Sequence, residues 1–512
     1  MLSQLRNRLP IRRLSCLPIS SQRGVALLLL VVTLVLGAAA VFYGLSTPAV
    51  PEVERDRKTS EALLQAKSAL IAYAISVNIT PTSGGVRLGD LPCPDSTDSG
   101  TANPAGCGNG AGTTGQASRI GRLPWKDLGL PDLRDGDGER LWYAVSNNFK
   151  QFTRTACGAA TLPATCLNSD TRGTITIRDS SGNIIHNATN TDPANSGVVA
   201  VIFAPGTILR RQDGTQQARG CGGDTTCTTT GVCSNAATPK CNSVNYLDIA
   251  LGEDNANFAD VSVAPGTNGF IKGMVRDASG NVIVNDKLVV ITYQDIMPLL
   301  EKRVMSEVSN CLKSYANANG GRYPWPALVS DVVPPLQNFT NATFGRIPDN
   351  QLSRVGTATS TPELLAACAS SDVTPPSRCM SASWSNACLL PTSGTTASWW
   401  NNWKLHVFYG LADAYKPMIS FTQPTPTTVI LNPIPASTGC PTCLTVSPNM
   451  TADKQFVVIL AGKQLSTQLR LTTPDRGNAA NYLEGENNNG DSLFSRQTTS
   501  PTFNDTVVSF PP

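Results

Sequence analysis

The chain has 512 residues, room for more than one domain, with only 15% charged residues and many Gly (42) and Pro (36). That composition excludes a helical, highly charged cytoplasmic protein and suits a loop-rich, β-containing exported one. Five of the 40 basic residues lie in the first 24 positions, leaving 35 basic against 37 acidic residues, a net of −2 that gives no general pull on nucleic acid. Those five, Arg6, Arg8, Arg12, Arg13 and Arg23, precede the first acidic residue, Glu52. Such a leader stays in the cytoplasm while the rest of the chain is exported. Val25 to Leu45 is an apolar run of 21 residues. At ~1.5 Å per residue it spans about 32 Å, which predicts a transmembrane helix. Pro48 and Pro51 break or kink the chain just beyond it.

From residue 61 onward a set of phrases occurs twice in the same order. Each copy opens on an amphipathic helix: Leu63, Ala66, Leu70, Tyr73 and Val77, then Leu300, Val304, Val308, Cys311 and Tyr315. Gly-Gly and Pro-x-Pro come after it, as Leu91-Pro92-Cys93-Pro94 and Tyr323-Pro324-Trp325-Pro326. Strand candidates are next, with Leu141–Ala144 matching Val407–Gly410 and Val198–Ala204 matching Phe456–Ala461. Asn245–Asp248 then matches Asn481–Glu484, Gly252–Asn255 matches Gly485–Asn488, and Asn285-Asp286 matches Asn504-Asp505. Six matches in one order indicate an internal duplication. The expected domains are therefore a leader (1–24), a transmembrane helix (25–45), a first head (46–297) and a second head (298–512). Trp125, Trp142 and Tyr143 are expected in the core, and Arg122 and Arg140 as paired surface groups.

Removing Cys16 with the leader leaves fourteen of the 15 cysteines, an even number that reads as disulfides in an exported chain. The candidates in short local spacings are Cys93 and Cys107, Cys157 and Cys166, Cys379 and Cys388, and Cys440 and Cys443. Cys440-Pro-Thr-Cys443 lies outside any βαβ pattern and is expected to be a loop staple, not a redox centre. Only His186 and His406 are available, so zinc is not expected. No nucleophile elbow, P-loop or His-Glu-x-x-His is present, and no catalytic residue is assigned.

Arg23-Gly24-Val25-Ala26-Leu27-Leu28-Leu29 at the end of a basic leader resembles the class III signal of type IV prepilins and type II secretion pseudopilins. It is most similar to the K-type minor pseudopilin. The stretch from Gly121 to Val145 is also similar to the heads of large pilin-like proteins. The resemblance implies cleavage by a prepilin peptidase between Gly24 and Val25 and methylation of the new amine. It also implies assembly with other pilins or pseudopilins from the inner membrane. Most members carry Glu at the fifth mature position, where this chain has Leu29, which places it at a filament tip, initiating or capping it. The implied fold is α+β: a transmembrane helix carrying two tandem pilin-like heads, each a helix on an antiparallel sheet, stapled by disulfides. Pseudopilin heads hold calcium in loops, and Glu484, Glu486, Asn487, Asn488 and Asp491 form the richest oxygen cluster for it. The counterpart is Asp248, Glu253, Asp254 and Asn255; a further acidic stretch is Asp132, Asp135, Asp137 and Glu139. The expected role is binding at the tip, to a surface or a secreted protein. Two other readings stay open. Ala38-Ala39-Ala40 could be a signal-peptidase site, or the apolar run an uncleaved anchor, either of which makes the chain an exported adhesin or ligand-binding protein outside any filament.

Overall fold

The computed structural model describes residues 49–76, 87–103, 120–150, 166–219, 239–257, 269–318, 321–333, 336, 342–348, 388, 399–416, 440 and 442–511. The chain divides into two compact units at Lys58, and the second, Thr59–Pro512, contains all the described strands.

Helix α1 spans Ala49–Ser76. It buries Ala62, Leu63, Ala66, Leu70 and Ala74, a spacing that keeps one stripe facing inward. Val77, the last position of the expected stripe, lies outside the described residues. Helix α2 spans Tyr293–Ala318 and buries Leu300, Val304, Val308, Cys311 and Tyr315 on the same principle. Its N-terminus is closed reciprocally, because the Asp295 carboxylate accepts from the Thr292 N–H and the Thr292 hydroxyl accepts from the Asp295 N–H.

The first sheet has four antiparallel strands in sequence order: β1 (Ile120–Arg122), β2 (Trp142–Val145), β3 (Ala200–Ala204) and β4 (Lys287–Ile291). The second sheet has the same order with β5 (Phe344–Arg346), β6 (Val407–Leu411), β7 (Phe456–Leu460) and β8 (Thr506–Phe510). Their registers correspond as well. Arg122 lies opposite Trp142 and Arg346 opposite Phe408. Phe203 lies between Trp142 and Leu288, as Ile459 lies between Phe408 and Val507. A Cβ on Gly121 or Gly345 would come within 2.7 or 2.1 Å of the carbonyl oxygen of Asp95 or Ala327. Both sheets thus need glycine where another segment crosses their first strand.

The expected fold class needs correction. Val25 to Leu45 lies outside the described residues, and among the described ones no helix is long and apolar enough to cross a membrane. The described strands fall into six sheets rather than one per head, the smaller four having two or three strands each. The two halves are also not tandem heads with separate cores. One apolar cluster takes in Leu63 and Leu70 of α1, Tyr143 and Ile202 of the first sheet, Leu300 and Val304 of α2, and Tyr409 and Val458 of the second. The opposite face of the first sheet, with Trp142, Val201 and Phe203, packs instead on Ile175, Ile177 and Phe270. An ion pair between Lys67 and Asp295, 2.9 Å long, joins α1 to the start of α2. The physical reason is that both helices turn their apolar stripes toward the same interior, so neither sheet is completed by a helix alone.

Arg122 is a second correction, since it lies 3.8 Å from Asp98 but buried between the rings of Trp142 and Tyr246 rather than at the surface. Two cysteine pairings, which the spacing left open, are described. Cys388 bonds Cys311 of α2, across 77 residues, and Cys379 lies outside the described residues. Cys440 bonds Cys443. Cys93 and Cys166 are also disulfide-bonded; Cys107 and Cys157 lie outside the described residues. Loop-closure entropy makes the two described bridges unequal. Replacing both Cys311 and Cys388 by Ala should lower unfolding stability by about 4 kcal/mol, and replacing Cys440 and Cys443 by about 2 kcal/mol or less. Urea titration of the two variants checks the ranking.

Candidate functional site

Each half contains the same polar network behind its sheet. In the first, the Arg219 guanidinium donates to the carbonyls of Gly206 and Tyr246 and to the Gln217 side chain. In the second, Arg470 donates to Gly462, Tyr482 and Gln468. Gln217 in turn donates to Asp248, and Gln468 to Glu484. The Asp248 and Glu484 carboxylates accept from the backbone of Asn285 and Asn504. Asp286 and Asp505 then accept from the backbone of Asp248 and Glu484, and from the amides of Asn255 and Asn487. The structural counterpart of Asn255 is therefore Asn487, one residue earlier than the phrase match had it.

Each network holds two carboxyls close together and away from water. Asp286 Oδ1 and Asp505 Oδ1 are buried with no hydrogen-bond partner among the described residues. Burial, with the neighbouring Asp248 or Glu484 charge added, pushes Asp286 and Asp505 well above the usual carboxylate range. Burial also raises Asp248 to about 6. Each pair therefore favours holding a proton.

The halves meet at residues 167–170. The Asn402 side chain accepts from the Leu167 N–H, and the Ser169 carbonyl accepts from the Tyr293 hydroxyl. Asp170 Oδ1 accepts from the Gln464 N–H at 2.6 Å and from Arg470 at 3.0 Å, and Asp170 Oδ2 lies 3.1 Å from His406 Nε2. Burial pushes Asp170 up, but Arg470, His406 and the Gln464 N–H outweigh it and hold the carboxyl well below its ordinary range. Burial lowers His406 against the pull of Asp170. Enclosed and set edge-on to the Tyr482 ring, His406 serves this junction rather than meeting solvent.

Beside the junction, a groove of about 660 Å³ runs between α2 and β8. Glu301, Met305, Ser309 and Lys313 line it as one row along α2, stepping by four. Thr506 and Val508 of β8 form the facing wall, and Asn504 ties the groove to the second carboxyl network. The Ser169 hydroxyl donates to Glu301 Oε1 at 2.8 Å. Burial, with some repulsion from Asp170, raises Glu301 to about 7. The size and the mix of apolar walls with a few polar groups are those of a small-ligand site.

The residues singled out from sequence are distributed differently. Glu484 and Asn487 belong to the second network, where the Ser495 N–H donates to the Asn487 side-chain oxygen. Asn488 donates to the Leu483 carbonyl. Glu486 and Asp491 both accept from the exposed Asn489 amide. Among the described residues no group of three or more His, Cys, Asp or Glu is placed to hold a metal ion. Of the counterparts, Glu253 pairs with Arg178 and Asp254 with Arg211. Asp132 pairs with Arg140 and Arg134, while Asp135 accepts backbone N–H groups of Asp137, Glu139 and Gly206. Glu139 lies 3.5 Å from Arg219. Gly24 and Val25 lie outside the described residues. Sequence reasoning missed Asp170, Glu301 and Ser309, which carry no local motif. No family model, curated protein or solved structure matches this chain.

The protonated pairs fix a pH dependence. A carboxyl whose folded pKa is raised binds protons more tightly when folded, so its contribution is complete below the unfolded value near 4. It is lost as pH rises through the folded value, about 6 for Asp248. Unfolding stability should thus fall by about 1–3 kcal/mol between pH 5 and 8 from these groups. Combining Asp286→Asn with Asp505→Asn should flatten that slope in urea titrations, because an amide mimics the protonated acid.

Proposed function

We propose that this protein is an exported subunit of a type IV pilus or type II secretion filament, initiating or capping its tip and presenting a head that binds rather than catalyses. The observation that carries this reading is the boundary at Arg23-Gly24-Val25, where a leader with five arginines and no acid meets an apolar run. Leu29 in place of a carboxylate favours a tip position over a repeated place in a shaft. The disulfides support export, since such bridges persist in oxidising compartments. The groove beside the junction supports a binding role. Its partners would be other pilins or pseudopilins, the prepilin peptidase, and a ligand on a surface or a secreted protein. It would sit at the inner membrane before assembly and at the cell surface or filament tip afterwards.

A second reading is an exported adhesin or ligand-binding protein outside any filament. The groove favours it to the same degree, because a ligand site of this size needs no filament around it. Mass spectrometry of the mature N-terminus separates the two. The filament reading expects an N-methylated Val25, together with other pilins in the same sheared surface fraction. A start at Val41, or an intact leader, would leave the adhesin reading in its place.

A further inference from the structure

We infer that the groove along α2 binds a small carboxylate with an unbranched apolar stem, its head at Ser309 and Lys313 and its stem over Met305 and Val508. The inference rests on the reading of the head as a binding module and names its ligand class.

Three observations place the head. Ser309 is among the residues lining the groove, is 5% exposed, and its buried hydroxyl has no hydrogen-bond partner among the described residues. A buried hydroxyl left unpaired is unfavourable, and a bound acceptor would relieve it. Lys313 lies one helical turn further along the same face and is also among the residues lining the groove. Its ammonium sits 5.0 Å from the centre of the Phe510 ring and has no carboxylate partner among the described residues. One hydroxyl donor and one cation suit a singly charged carboxylate.

The other charges of the groove lie away from Ser309 and Lys313 in the sequence or are paired, and Lys302 lies beside Glu301. Lys463 pairs with Asp192 at 2.6 Å. Glu301 is held by Ser169 and lies eight residues before Ser309, about 12 Å along the helix, next to Lys302. An anion at the Ser309 end is thus separated from the one acid of the groove. Between the ends, Met305, 1% exposed and part of the shared core, forms the apolar floor, and the half-buried Val508 of β8 forms the facing wall.

Ligand-observed NMR titration of the full-length chain at pH 7 tests this with octanoate, octanol and octylammonium as probes. Octanoate should bind at least tenfold more tightly than octylammonium and more tightly than octanol. Lys313→Gln should weaken octanoate binding at least tenfold, Lys313→Arg should restore it, and Ser309→Ala should weaken it about threefold. Met305→Trp, which fills the stem path, should abolish it, while Lys302→Gln should leave it within twofold. Octylammonium binding as well as octanoate, or octanoate binding indifferent to Lys313→Gln and Met305→Trp, would overturn the inference. The Arg variant keeps the test decisive if the Gln variant loses its fold. Analysis of the N-terminus reports on export and assembly and is blind to this groove, so the two readings can fail separately.

Discussion

A carboxylate partly withdrawn from water, as Asp170 is with 28% of its side chain exposed, is held ionised by the charge and hydrogen bonds around it. Asp170 takes them from the other half of the chain: Arg470, His406 and the Gln464 N–H. Its position therefore fixes the 167–170 segment against β6, the start of α2 and the polar network behind β8. Removing the acid would leave Arg470, 4% exposed at its side chain, with a carbonyl-rich shell and one counter-charge fewer. Much of the remaining architecture depends on this tie. Ser169 is delivered to Glu301, Tyr293 is anchored at the mouth of the groove, and the two sheets share one interior.

The repetition of the two halves makes the asymmetry at Asp170 informative. Arg219 and Arg470 occupy matching places with matching carbonyl partners, yet Arg219 has the looser Glu139 at 3.5 Å where Arg470 has Asp170 at 3.0 Å. The same repeated arginine closes its own half in one case and joins the halves in the other. The groove lies on the side where the joining occurs. A ligand there would touch α2 and β8 of the second half while resting beside Ala194 of the first, so occupancy and the junction are physically adjacent.

Much of the local structure was legible in the sequence. The three- and four-residue steps of Leu300, Val304, Val308, Cys311 and Tyr315 mark the stripe that α2 buries. The apolar runs at Val198–Ala204 and Phe456–Ala461 contain β3 and β7, and Asn285-Asp286 and Asn504-Asp505 occupy equivalent places ahead of β4 and β8. What could not be read depends on contacts between residues distant in sequence. Asp170 and Arg470 are 300 positions apart, and Cys311 bonds Cys388 across 77 residues. In the acid-rich loop, the side chain of Asn487 holds Ser495, and Glu486 and Asp491 both accept from Asn489. Spacing reports which side of an element faces inward; it does not report which other element waits there.

Two repeated halves that share one interior should unfold as one cooperative body. Scanning calorimetry of the full-length chain measures this most directly. A single transition is predicted for Thr59–Pro512, with calorimetric and van't Hoff enthalpies in agreement, and its separation into two transitions in Asp170→Ala. Two resolved transitions in the unaltered protein would contradict it, because they would mean that each half closes its own core.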